Sequence, residues 1–137
     1  MRLRSLLAIA LAGVMPDAGA GAWACGDELG SARRLEGDRY VVAYVTVPAP
    51  IVAGAHFVVD FVVCARAGIA TPDSVRVDAM MPEHRHGMNY RPEIVAAKNG
   101  RYRAHGLLFH MSGRWDLTFD LSTATGTERL TETISVE

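Results

Sequence analysis

The sequence predicts an all-β fold, an antiparallel β-sandwich of about seven strands. Short segments rich in β-branched and aromatic residues recur roughly every ten residues, with Gly, Pro and Asn turn signals between them. No segment shows the period of an amphipathic helix, and we find no internal repeat or linker. Short strands at this spacing are typical of a single sandwich domain.

The first two strands are predicted at residues 40–47 and 55–64. The former, YVVAYVTV, is rich in β-branched residues and is ended by prolines. In the latter, every second residue is apolar, and this face should lie in the core because side chains alternate along a strand. The residues of this face are Phe57, Val59, Phe61 and Val63.

Five further strands follow. Residues 74–81 alternate between valine and charged residues, and residues 98–100 (KNG) form a hairpin turn between short strands. Trp115 begins a second alternating run, in which Leu117 and Phe119 should also face inward. The predicted strands are 74–81, 94–97, 101–109, 114–121 and 125–136.

Residues 1–24 read as a secretory signal peptide. A short positive region is followed by a brief apolar run and by small residues that suit cleavage after Ala24. Residues 25–137 would then form the single mature domain, with no membrane-spanning segment, in the periplasm. Lipid attachment to Cys25 is not expected, since Ala22 occupies a position where lipoprotein signals usually have Leu.

The net charge and the cysteine content limit the classes of function that the sequence supports. Cleavage after Ala24 would change the formal net charge from −1 to about −2, so no basic surplus favours nucleic acid. In an oxidising compartment Cys25 and Cys64 are expected to form a disulfide; the alternative is a buried thiol or a copper ligand at Cys64.

Histidine and methionine residues alternate near the middle of the chain. His84, His86 and Met88 would leave the same face if the backbone were extended there. His110 and Met111 could complete a site if their loop folds over this face. Imidazole nitrogen and thioether sulfur favour copper, above all Cu(I), whereas zinc sites avoid thioethers. A polar loop with its histidines in hydrogen bonds, and methionines as core filler, is the alternative.

Three blocks of residues carry a resemblance to a known family. Residues 81–88 (MPEHRHGM), 100–102 (GRY) and 106–115 (GLLFHMSGRW) resemble the pattern of the YtkA-like/FixH-like family of exported domains. The resemblance extends from about residue 40 to residue 121. Arg85 replaces a usual Gly and Ser112 a usual Pro, and the first puts a cation beside the candidate metal face.

The resemblance implies an immunoglobulin-like β-sandwich in the cell envelope, often near copper handling or cytochrome oxidase assembly. We therefore expect a non-enzymatic copper-binding carrier or assembly accessory, with a copper-handling or oxidase-assembly protein as partner. The alternative is an interaction module whose loop docks a partner without metal. The sequence contains no nucleophile elbow, phosphate loop or HExxH motif. A Cys64, His84 and Asn89 set is conceivable, but the expected disulfide argues against it.

Overall fold

The structure, a computed structural model, describes residues 24–137. The predicted signal peptide therefore lies outside the described residues, apart from Ala24. Within the described part, one 3-10 turn (Asp27–Leu29) precedes nine strands. These are β1 (Arg33–Glu36), β2 (Tyr40–Val47), β3 (His56–Ala65), β4 (Ser74–Met81), β5 (His86–Gly87), β6 (Glu93–Ala96), β7 (Arg101–Leu108), β8 (Gly113–Thr123) and β9 (Gly126–Val136).

The strands form two antiparallel sheets that pack face to face. One has the order β1-β2-β3-β7-β6 and the other the order β5-β4-β8-β9. Hairpins join β2 to β3, β6 to β7 and β8 to β9. The prediction of an all-β antiparallel sandwich is confirmed. No helix in residues 24–137 is long and apolar enough to cross a membrane.

The two alternating runs supply the centre of the core, as predicted. Phe57, Val59, Phe61 and Val63 of β3 are all buried. From the opposing sheet, Trp115, Leu117, Phe119 and Leu121 of β8 are fully buried. Each such side chain stabilises the fold by about 1.5–3 kcal/mol, because burial removes its apolar surface from water. Phe61 and Phe119 meet across the interface with ring centroids 5.3 Å apart.

Nine strands are present where about seven were predicted, and the two additional strands are short. β1 (RRLE) has three exposed side chains and so lacks the apolar alternation that reveals a strand. β5 is two residues long and exists because residues 86–87 pair with the end of β4. Both short strands depend on pairing with a neighbouring strand, which cannot be predicted from the local sequence.

Cys25 and Cys64 form the predicted disulfide. The bond fastens the N-terminal segment across the outer face of the five-stranded sheet, at the end of β3. Gly26 packs directly against this face. Its φ is +82°, and a Cβ there would come within 2.1 Å of the Ala43 Cβ. Only glycine combines this backbone conformation with so close an approach.

The edge strand β9 turns two carboxylates inward. Glu128 accepts hydrogen bonds from the backbone N–H groups of Asp38 and Tyr40, at 2.8 and 3.0 Å. Glu132 accepts the Tyr44 hydroxyl hydrogen bond at 2.8 Å, and burial, followed by this bond, raises the pKa of Tyr44. Inward charges discourage an edge strand from pairing with another chain, while here they also join the two sheets.

Candidate functional site

The predicted ligands lie at one end of the sandwich, where β4 turns into β5 and where β7 passes to β8. Residues 82–85 between β4 and β5 form a turn, in which the His84 N–H bonds to the Met81 carbonyl at 3.2 Å. Pro82 sits second in this turn, a position that its fixed φ suits. The extended conformation considered for this stretch is therefore wrong for His84, which lies in the turn.

His86 and Met88 do share a face, as the alternation predicted. His86 pairs with the buried Met81 across the β4–β5 ladder, and the Met88 N–H bonds to the Ala79 carbonyl at 3.2 Å. Both side chains thus lie on the inner side of the ladder and are half-buried. Met80 points to the opposite face and is 45% exposed, so it does not join them.

The second cluster is held by Trp115. Its indole stacks on Phe109, with ring planes 3° apart and centroids at 4.7 Å. The indole N–H donates to the Met111 carbonyl at 3.1 Å, which closes the turn between β7 and β8. The Gly54 N–H also bonds to the Phe109 carbonyl, at 2.7 Å. These contacts leave His110 exposed between two anchored residues.

The two loops bring three imidazole rings into a row. The centroid of His86 is 5.7 Å from that of His84 and 4.9 Å from that of His110. The rings do not surround one point: among residues 24–137, no group of three or more histidine, cysteine or acidic side chains is placed to hold a metal ion. The arrangement is instead two adjacent imidazole pairs that share His86.

The spacing within each pair is close to that of two imidazoles on one metal. Nitrogen–metal bonds of about 2.0–2.1 Å place two such ring centroids roughly 5–6.5 Å apart, a range that includes the His84–His86 distance and begins just above the His86–His110 distance. His86 Nδ1 lies 3.3 Å from the Gly87 carbonyl oxygen. When Nδ1 carries the proton and donates to that oxygen, Nε2 remains free as a ligand, since the two ring nitrogens alternate in this role.

The methionines take different positions around the row. Met88 and Met111 are half-buried against the core, and Met81 is 1% exposed. Met81 fills the space beneath Gly113, where an added Cβ would come within 2.5 Å of the Met81 methyl carbon. Met81 therefore serves packing, whereas Met88 and Met111 lie partly open in the two segments that carry the histidines.

The turn that carries His84 also carries two charged side chains, Glu83 and Arg85. Glu83 is engaged by Arg114, which donates to it through Nε at 2.9 Å and through Nη2. Arg85, for which no ion pair is found within the described residues, adopts a left-handed φ of +54°. This is the position at which the YtkA-like pattern has Gly, a residue that adopts this conformation without steric cost.

The remaining histidines, His56 and His105, lie outside the row. His56 begins β3 at the same end, where its ring centroid is 5.6 Å from that of the exposed Tyr90. His105 lies on β7 opposite Glu93 of β6. Neither ring is among the aromatic contacts of His84, His86 or His110.

Trp115 is the site residue that sequence reasoning missed, because core packing alone explained it. Its ring centroid lies 5.8 Å from that of His86 and 5.3 Å from that of His110. The signal was present in the block FHMSGRW, in which Trp115 follows Met111 by four residues. Because the Trp115 indole hydrogen-bonds to the turn that precedes it, the indole also lies beside His110, which that turn carries.

Comparison with protein families finds one match. A family model described as YtkA-like matches residues 35–120, which is more than half of the chain. The matched region includes β2 to β7, most of β8 and both histidine segments. No curated protein and no solved structure matches the chain.

Proposed function

The chain belongs to the YtkA-like family, and from this premise we propose that it is an exported, non-enzymatic domain that holds copper at the histidine end of its sandwich. It would act in the periplasm as a copper carrier or assembly accessory. A copper-handling or oxidase-assembly protein of the envelope would be its partner. The metal would be held for transfer and would not be turned over.

The observation that carries the proposal is the meeting of two distant segments. His86 and His110 are far apart in sequence, yet their ring centroids lie 4.9 Å apart. Both segments also contribute a half-buried methionine, Met88 and Met111. Imidazole and thioether groups together match the ligand preference of copper among the common transition metals. His84 lies beside His86 and would supply an alternative nitrogen.

The cation at Arg85 opposes metal binding but does not decide it. Its guanidinium lies on an exposed turn, where solvent screens its repulsion of a bound ion. Arg114 donates both of its hydrogen bonds to one oxygen of Glu83 and so partly neutralises this carboxylate. The imidazole and thioether donors are uncharged, which suits a soft, low-charge ion better than a hard one.

Competition titration tests the proposal. The chain from Cys25 to Glu137 is titrated with Cu(I) against a chromogenic Cu(I) chelator. The wild type should withdraw one equivalent of copper, and the double variant His86→Ala/His110→Ala should lose at least about 100-fold in affinity, more than the loss of an outer-shell contact costs.

The matched control is His56→Ala/His105→Ala, which removes the same number of imidazoles from outside the row. Circular dichroism should show that both variants keep the sheet structure. If the wild type and the His86/His110 variant compete equally poorly, the copper proposal is wrong.

A second candidate function is docking of an envelope protein without metal. Two exposed apolar side chains favour it: Val52 is 55% exposed in the loop beside Phe109, and Tyr90 is 53% exposed beside His56. A variant with residues 82–86 replaced by a neutral turn should lose the partners that the wild type captures from an envelope extract. Capture of the same partners by both proteins would contradict this candidate.

A further inference from the structure

We infer that Trp115 forms one wall of the copper site and that its indole makes the site selective for Cu(I) over Cu(II). The inference rests on the copper-binding function proposed above. It assigns to Trp115 a direct contact with the bound ion, in addition to its place in the core.

The indole of Trp115 lies close to both imidazoles of the His86–His110 pair. The centroids of His86, His110 and Trp115 form a triangle with sides of 4.9, 5.3 and 5.8 Å. The midpoint between the two imidazole centroids therefore lies about 5 Å from the indole centroid. An ion bonded to both rings lies about 2 Å off this midpoint, and when displaced toward the indole face it comes within the roughly 6 Å over which an aromatic ring attracts a cation. An ion bound between these histidines would be within reach of the indole.

The indole is also fixed in place. Phe109 covers one face of the ring, the N–H is used by the Met111 carbonyl, and the side chain is fully buried. A ring held by packing and by a hydrogen bond cannot turn away to admit further ligands. Because Trp115 borders the histidine pair as a rigid apolar wall, it limits how many ligands can surround the ion.

The limited ligand set selects the oxidation state. Cu(II) favours a square-planar or tetragonal arrangement of nitrogen and oxygen ligands, whereas Cu(I) accepts soft sulfur donors. At this site the indole occupies one side, and the donors beside it are two imidazoles and the thioethers of Met88 and Met111. This set and the cation–π attraction of the indole suit a soft monovalent ion.

Tryptophan fluorescence provides the test. The sequence has two tryptophans, Trp23 and Trp115, so a chain that begins at Cys25 reports on Trp115 alone. That chain carries every described strand and both cysteines. One equivalent of Cu(I), or of Ag(I) as a redox-inert monovalent probe, should quench more than half of the emission. Zn(II) should leave the emission unchanged.

Two variants separate contact from mere proximity. His105→Ala, on β7 outside the row, should leave the quenching intact, whereas His86→Ala should abolish it. Trp115→Phe keeps an aromatic ring and should weaken Cu(I) binding about 3- to 10-fold, since tryptophan is the best aromatic partner for a cation. Competition with a Cu(II) chelator should show that the wild type binds Cu(I) more tightly than Cu(II). In Trp115→Phe the ratio of these two affinities should be smaller.

The outcomes distinguish this inference from the function on which it rests. If the chelator competition shows stoichiometric Cu(I) binding while Trp115 emission is unchanged, the contact between Trp115 and the ion is disproved and the copper-binding proposal stands. If the wild type takes up no Cu(I), both the contact and the copper-binding proposal are wrong. The fluorescence result on the wild type needs no variant, so the test remains decisive even if Trp115→Phe does not fold.

Discussion

Removal of the disulfide should destabilise the domain strongly without disturbing the histidine end. In the variant Cys25→Ala/Cys64→Ala, the strands of the sandwich keep their hydrogen-bonded partners, because the bond joins an N-terminal segment to the end of β3. Cys64 stands eight residues beyond His56 in β3, which is about 26 Å along an extended strand. The two ends of the molecule should therefore respond independently.

The magnitude follows from the loop that the bond closes. The two cysteines are separated by 39 residues. Closing a loop of this length lowers the entropy of the unfolded chain enough to stabilise the fold by about 4 kcal/mol. In a domain of this size that corresponds to roughly 15 °C in melting temperature. Loss of the fastened segment also uncovers Ala43 on the outer face, which adds to the cost.

Urea unfolding followed by circular dichroism measures the difference, with the oxidised wild type and the double alanine variant compared at pH 7. Gly26→Ala provides an independent check on the same segment, since its Cβ would overlap that of Ala43. A loss of less than about 1 kcal/mol would refute the loop-closure reasoning. A change in Cu(I) affinity in the double variant would refute the independence of the two ends.

Three further predictions concern individual residues. Arg85→Gly should stabilise the domain by about 0.5–1 kcal/mol in urea unfolding, because it relieves a left-handed backbone at the cost of glycine entropy. Glu128→Ala should destabilise it by about 2–3 kcal/mol in the same assay, because the carboxylate accepts charge-assisted bonds from successive backbone N–H groups. Asp120→Asn should lower stability at pH 7 and progressively less as pH falls into the acid range, since hydrogen bonding from Arg129 lowers the pKa of Asp120.

The sign of the pH effect is fixed by the direction of that pKa change. A carboxyl group with a lowered pKa in the fold stabilises the protein above its unfolded pKa of about 3.9, and the contribution is lost as pH falls through the lower folded value. The gap between wild type and Asp120→Asn should therefore close in acid. A gap that does not narrow between pH 7 and pH 2.5 would contradict the ion-pair explanation.

Matched substitutions check the other two residues. Gly100 has φ of +70° in the hairpin between β6 and β7, so Gly100→Ala should destabilise where Arg85→Gly stabilises. Thr131→Ala changes an exposed side chain on the same strand as Glu128 and should have little effect. If Thr131→Ala costs as much as Glu128→Ala, the loss reflects the strand and not the carboxylate.

Local sequence determined the class of fold and its core. The alternation in β3 and β8 identified the buried face because a strand presents successive side chains to opposite sides. The Asn99–Gly100 turn was likewise visible, since both residues adopt the left-handed conformation that this pair favours. The pairing of Cys25 with Cys64 was predicted because the sequence has two cysteines and is expected to be exported to an oxidising compartment.

The alternation of side chains along the sequence led to wrong predictions where pairing with distant residues determines the backbone conformation. It predicted a shared face for His84, His86 and Met88, yet a turn that begins after Met81 removes His84 from it. Sequence alone could not predict that turn in preference to a continued strand, because the choice depends on how far β4 remains paired. The short strands β1 and β5 were missed for the same reason.

The sequence by itself determined the histidines and methionines of the candidate site, the two cysteines and the sandwich-forming pattern. Only the tertiary structure decided which of those histidines and methionines lie close together. It set His86 beside His110 by stacking Phe109 on Trp115 and pairing His86 with Met81. It also arranged three imidazoles in a row and made a core tryptophan their neighbour. Such proximity arises from strand register and loop closure, which are properties of the whole chain.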